Sequence, residues 1–531
     1  MLIQNPILKG FNPDPSIVRV GDDYYIATST FEWFPGVQIH HSRDLVHWRL
    51  LTRPLDRVSL LDMKGIPNSG GIWAPCLTWH EGIFYLCYTV VQELNSITKD
   101  TPNYLTTATD IMGPWSEPIY LNSSGFDPSL FHDDDGRKWL VNMIWDHRPG
   151  KNPFYGIVLQ EYDPVEEKLV GAPDVIFKGT ELGCTEGPHL YKRDGYYYLM
   201  TAEGGTFYEH AETLARSKSI YGPYEVHPYN PVITAWGDRS LPLQKTGHAD
   251  LVETPSGDWY LVHLCGRPLP GSDRCILGRE TAIQKVVWKD DGWLYLEAGG
   301  HRPQAKTPAP DLPPHPWPPP PVRDDFDNDT LGLHYQTPRT PLEEDDYSLT
   351  ERPGYLRLKG GQSLESRFKQ VLVARRQQAF RYEATTCLEF EPESFQQMAG
   401  LLCYYNTGLY HYLCMSVDER AGPCLYVQTA DDGTITFPLA PAFITLGPVN
   451  RVYLRAQMDY ARLTFSYSLD GLYWLRVCND LDASILSDDY GDDWGFTGAF
   501  VGLACQDLTG RRTPADFDFF EYREGVVKRK T

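Results

Sequence analysis

A chain of 531 residues, 42% hydrophobic and 13% aromatic, is long enough for two packed domains and too apolar to be disordered. A formal net charge of −22 leaves no basic face for phosphates, so no nucleic-acid partner is expected. No stretch of eighteen apolar residues exists, which excludes a helical membrane span, and no membrane partner is expected.

Strand patterns then dominate, with long amphipathic helical patterns nearly absent. Five aromatic-rich cores recur: Asp22 to Ala27, Gly82 to Cys87, Gly136 to Val141, Asp194 to Leu199 and Gly257 to Val262. Aligned on Tyr25, Tyr85, Trp139, Tyr198 and Tyr260, they repeat every 54–62 residues. Several strands per repeat at this period predict a five-bladed β-propeller over residues 1–306. Residues 307–323 open with a Pro-rich run (Thr307-Pro-Ala-Pro-Asp-Leu-Pro-Pro-His-Pro-Trp-Pro-Pro-Pro) that cannot join a sheet interior and reads as a stiff linker. Over 324–531 short alternating strands return at another rhythm, including a hairpin turned at Asp470-Gly471. They predict a β-sandwich of jelly-roll or lectin-like kind. The fold class is therefore all-β.

Eleven or twelve positions before each aligned aromatic stand Asp14, Trp73, Asp127, Glu186 and His248. Equivalent positions in a propeller face one axis, so three carboxylates, an indole and an imidazole should converge there. An acidic residue beside a proline is ordinarily just a turn. Three in one register are not explained by turn chemistry, which does not require the register to match. Paired carboxylates across a pocket are the equipment of glycoside hydrolysis. A lone histidine carries little metal signal. Eleven scattered cysteines without a Cys-x-x-Cys read as reduced, buried thiols. Met1 to Gly10 has neither the basic start nor the apolar run of a secretory signal, so the expected location is cytoplasmic and the Asn122 and Asn328 glycosylation patterns are chance.

Asn12-Pro-Asp-Pro-Ser16, Phe31-Glu-Trp-Phe-Pro-Gly36, Gly71-Ile-Trp-Ala-Pro75, Phe126-Asp-Pro-Ser129, Thr185-Glu-Gly-Pro-His189, Gly247-His-Ala-Asp250 and Leu277-Gly-Arg-Glu-Thr281 follow one another in an order that resembles the β-xylosidase/α-L-arabinofuranosidase group of glycoside hydrolase family 43, two-domain type. The resemblance implies an inverting enzyme in which Asp14 is the general base, Glu186 the general acid, and Asp127 the carboxylate that orients Glu186 and tunes its pKa. Inversion would place the Asp14 and Glu186 carboxyls roughly 6.5–9.5 Å apart, leaving room for a water. By the same resemblance Arg279 binds the sugar, and Phe31, Trp73 and Trp145 are platforms for its ring. Phe496, in Trp494-Gly-Phe-Thr-Gly498, would reach over from the second domain to close the pocket, and His248, near the substrate, would bind a metal, hold Asp127 or Arg279 by a hydrogen bond, or be a satisfied buried histidine.

No cofactor is required on this reading. The family also implies a structural Ca²⁺ on the propeller axis, mostly water-coordinated, with His248 as its protein contact. The expected substrate is a short β-1,4-xylo-oligosaccharide cut from its non-reducing end, with an α-L-arabinofuranosidase side activity, in a dimer or tetramer. A predominant arabinofuranosidase and a non-catalytic sugar-binding propeller are the alternatives; the latter would be expected to have lost Asp14 or Glu186. A retaining fructosyltransferase would carry Arg-Asp-Pro, which is absent.

Overall fold

A computed structural model describes residues 1–491 and 495–525. Among these, regular structure is almost wholly β, and no helix is long and apolar enough to cross a membrane. The chain forms two compact units. One comprises residues 1–61, 70–267 and 279–317; the other comprises 62–69, 268–278 and 318 onward.

The first unit is a five-bladed propeller. Its blades open on Ser16–Val20, Gly71–His80, Ser129–His132, Glu186–Arg193 and Gln244–Glu253, and each sheet has its four main strands in antiparallel array. These opening strands contact one another in a closed ring, blade 1 to 2 to 3 to 4 to 5 and back to 1, and so surround the axis. Each aligned aromatic falls on the second strand of its blade, as the repeat predicts. The reason for the repeat lies between the blades. Tyr85 packs with Leu130 and Leu140 of blade 3, Trp139 with Leu190 and Leu199 of blade 4, Tyr198 with Leu251 and Leu261 of blade 5, and Tyr260 with Ile17 and Ile26 of blade 1. A large ring at one register fills one cleft, and burying it drives blade-on-blade packing.

A second repeat is conformational. Asp14 (φ 54°), Ala74 (36°), Asp127 (57°), Gly187 (55°) and His248 (50°) are all left-handed, one at the axial start of each blade. Pairing slips beside three of them, between Trp73 and Cys76, between Glu186 and His189, and between Gly247 and Ala249. These are β-bulges, which re-aim a side chain that a regular strand would send into a cleft. Proline follows four of the five, and it lacks the N–H that a regular ladder would need at the slip.

The chain start closes the ring. Leu2–Gln4 pairs with Lys306–Pro308, and buried Asn5 donates from Nδ2 to the carbonyls of Ile283 (2.7 Å) and Gln304 (2.9 Å) while its Oδ1 accepts the Ile283 N–H (2.9 Å). The Pro-rich run continues along the first unit: the His315 N–H donates to Asp44 at 2.7 Å, and the Arg49 guanidinium stacks 3.8 Å from the Trp317 ring.

The second unit is a sandwich of a nine-stranded and a seven-stranded antiparallel sheet. One apolar core lies between them, joining Leu356, Leu388 and Phe465 of the first sheet to Val373, Leu401 and Leu413 of the second. The segments 62–69 and 268–278 sit in the propeller's part of the sequence yet belong to this unit. Arg339 donates to the Ile66 carbonyl (2.6 Å), and the Cys275 N–H donates to Asp489 (3.0 Å).

Asn5→Ala should destabilise the propeller by on the order of 3 kcal/mol, because the buried N–H and carbonyl of Ile283 and the half-buried carbonyl of Gln304 lose their partner. A lower denaturant midpoint with an unchanged sandwich signal is the expected readout; an unchanged midpoint would deny the closure role.

Candidate active site

The left-handed turns gather side chains at one end of the axis. Asp14, Asp127, Gly187 and His248 line one cavity with Ala74, Cys76, Ser129 and His189. Glu186, next to Gly187, is half-buried and faces the charges of Asp127 and Asp14. Four of the five register residues thus meet electrostatically, as the repeat predicts. Trp73 begins an aromatic wall: its ring is 5.9 Å from Phe31 and 5.4 Å from Phe126, and Phe126 is 6.3 Å from Trp145. Trp145 is fixed by donation from Nε1 to the Ile97 carbonyl at 2.9 Å.

Asp14 is the most heavily partnered of the three carboxyls here. Ser29 Oγ donates to its Oδ2 at 2.6 Å, Arg279 Nη1 donates to Oδ1 at 3.3 Å, and His248 Nδ1 lies 3.5 Å from Oδ1. Burial pushes its pKa up, but Arg279, His248 and Ser29 outweigh burial and hold the carboxyl well below the usual range. Ser29 Oγ also accepts the Ala74 N–H at 2.8 Å, so one hydroxyl ties Asp14 to the neighbouring blade's turn.

Asp127 and Glu186 go the other way. Burial raises Asp127 to about 6; His248 and the Gly187 N–H, which donates to Oδ2 at 3.0 Å, oppose the rise, and the Asp14 charge adds to it. Glu186 is raised well above the usual carboxylate range, by burial first and then by the Asp127 charge. Gly187 is required here: a Cβ on it would come within 2.9 Å of the His248 ring. His248 loses stability as a cation through burial, yet Asp14 and Asp127 together raise it to about 9. Arg279, 4% exposed, also donates to Thr206 Oγ1 at 2.8 Å, and its guanidinium lies 5.4 Å from the Phe31 ring.

Phe496 is a buried member of the second unit, where its N–H donates to Ser69 Oγ at 3.1 Å. Trp494, which opens the run holding it, lies outside the described residues. Among the described residues no group of three His, Cys, Asp or Glu side chains is arranged to hold a metal ion. An axial Ca²⁺ fits the donors poorly: His248 faces Asp14 with one nitrogen, and protonation near neutral pH opposes metal binding by the other.

Two carboxyls pushed toward opposite protonation, a third beside Glu186, a buried cation and an aromatic wall make a glycosidase-type site on a propeller. Comparison with known proteins agrees. The profile of glycosyl hydrolases family 43 matches residues 3–294, and that of the beta xylosidase C-terminal concanavalin A-like domain matches 323–523. The chain belongs to glycosyl hydrolase family 43. It is 52% identical over 99% of its length to a beta-xylosidase of Bacillus subtilis (strain 168), all of which is covered. It is 50% identical over 98% of its length to a xylan 1,3-beta-xylosidase of a Vibrio species, 99% of which is covered. A crystal structure of a xylan β-1,4-xylosidase from Bacillus halodurans C-125 superposes with a TM-score of 0.97 at 58% identity, covering 98% of this chain and all of that one.

Asp127→Asn removes the charge that helps keep Glu186 protonated, so the pKa of Glu186 should fall. The alkaline limb of kcat/KM should then move about one pH unit or more downward, with the acidic limb moving less. A profile changed only in height would leave Asp127 as a substrate contact.

Proposed function

We propose that this enzyme is an inverting, exo-acting β-1,4-xylosidase that releases xylose from the non-reducing end of short xylo-oligosaccharides. The observation that carries the reading is the opposed surroundings of Asp14 and Glu186: Ser29, Arg279 and His248 crowd the first, while burial and the Asp127 charge bear on the second. Asp14, held ionised by Arg279, His248 and Ser29, takes a proton from water as that water attacks the anomeric carbon. Glu186, held neutral, gives its proton to the departing glycosidic oxygen. Asp127 keeps Glu186 protonated and, through the Gly187 N–H, holds the turn that presents it. Arg279 offers its guanidinium to the sugar hydroxyls, and Phe31 and Trp73 pack on the ring's C–H face.

Asp14 and Asp127 are each less than a tenth exposed, so the site is recessed and accepts a chain end more readily than a chain middle. An α-L-arabinofuranoside presents a similar hydroxyl pattern and is the expected side substrate. A cytoplasmic location fits the chain's eleven cysteines, nine of them buried, which need no oxidising compartment. The steps need no metal, and dialysis against a chelator should leave kcat unchanged.

The stereochemical outcome tests the mechanism. Proton NMR of a fresh digest of β-1,4-xylobiose should show α-xylose first, before mutarotation; β-xylose first would establish a retaining reaction. Parallel rates on β-1,3-xylobiose and on an aryl arabinofuranoside fix linkage and sugar preference, and either one exceeding the β-1,4-xylobiose rate would overturn the assigned substrate. Glu186→Ala should lose about 10²-fold or more on xylobiose but far less on an activated aryl xyloside, whose leaving group needs little protonation. Equal losses on both would remove Glu186 from the acid role.

A further inference from the structure

Glu212 is a buried carboxyl that no step above uses. It lies on Ala211–Ser217 of blade 4 and is fully inaccessible. Its Oε2 accepts the N–H of Ala249 at 2.9 Å. That bond crosses from blade 4 to blade 5 and lands on the residue directly after His248, whose main chain is left-handed at φ 50°. A second side chain of blade 4 grips the same stretch. His210 Nδ1 pairs with the Lys245 carbonyl at 3.1 Å, and its ring lies so close to Gly247 that a Cβ there would come within 2.8 Å of it.

Residues 245–249 are where blade 5 departs from regular pairing: Lys245 and His248 are both left-handed, and register slips on either side of Gly247. A non-glycine left-handed residue is strained and persists only where its surroundings over-determine it. Here the over-determination comes from blade 4, and its most direct element is the Glu212–Ala249 bond. His248 in turn stands 3.5 Å from Asp14.

We propose that Glu212 is a positioning residue of the glycosidase site, holding the left-handed turn at His248 that aims the imidazole at Asp14. The proposal rests on the reading of Asp14 as the base, but its structural half stands apart from any substrate. Glu212→Gln keeps a carbonyl oxygen for the Ala249 N–H; Glu212→Ala removes it.

The test pairs kinetics with a crystal structure of the full-length variant. Glu212→Ala should lower kcat on xylobiose by at least about tenfold, since a small misplacement near the reacting atoms is enough, with KM within about twofold. Glu212→Gln should restore kcat to within about threefold of wild type. The Glu212→Ala crystal structure should show His248 out of the left-handed region or its ring withdrawn from Asp14. Should Glu212→Ala not fold, Glu212→Asp, one methylene shorter, carries the same expectation. An unmoved His248, a loss confined to thermal stability, or a glutamine variant as impaired as the alanine one would each overturn the proposal. An inactive wild type would instead count against the xylosidase reading, and the crystal structure alone would then decide the role of Glu212.

Discussion

Five left-handed turns, one at the axial start of each inner strand, are the constraint on which the site depends. In a regular strand, alternate side chains point into the clefts between blades, where Tyr85, Trp139, Tyr198 and Tyr260 are buried. The turn breaks that alternation once per blade and directs one residue toward the axis instead. Because the break recurs in all five blades, carboxylates, an indole and an imidazole come to neighbouring positions without disturbing the interblade core. The glycine at Gly187 shows how tight the arrangement is, since the His248 ring occupies the space a side chain would need.

Gathering acids in one desolvated place has a cost, and the molecule meets it asymmetrically. Every cationic or donor contact close to Asp14 favours its ionised form, from Arg279, His248 and Ser29. Glu186 is given burial and a neighbouring negative charge, both of which favour its neutral form. Two similar functional groups are thereby pushed toward opposite protonation at one pH, which is what acid–base catalysis at a single centre requires. Arg279 and His248 also limit the repulsion among the carboxylates, so the same cations serve stability and chemistry.

Much of this was legible in the sequence, for a physical reason. Interblade packing demands a large ring at one register, and the axial turn demands a fixed spacing from it, so both repeats are written into the chain. The carboxylates, Trp73 and His248 follow directly. Ser29, Thr206 and Glu212 leave no such trace. Their importance comes from which atoms they reach across the ring, and sequence neighbours such as Thr28 or Gly205 carry no signal of that. The segments 62–69 and 268–278 were also illegible, because they interrupt the propeller in sequence while packing with the sandwich in space. Among the described residues six cis X-Pro bonds, Asn5-Pro6 and Phe34-Pro35 included, are likewise unreadable from one chain.

The central claim is that Glu186 carries a proton while Asp14 does not, in the resting enzyme near neutral pH. Infrared difference spectroscopy of wild type against Glu186→Gln, and separately against Asp14→Asn, reads this directly. The account predicts that the first difference removes a protonated carboxyl C=O band and the second removes a carboxylate band. A carboxylate band lost in the first, or a protonated band lost in the second, would contradict it.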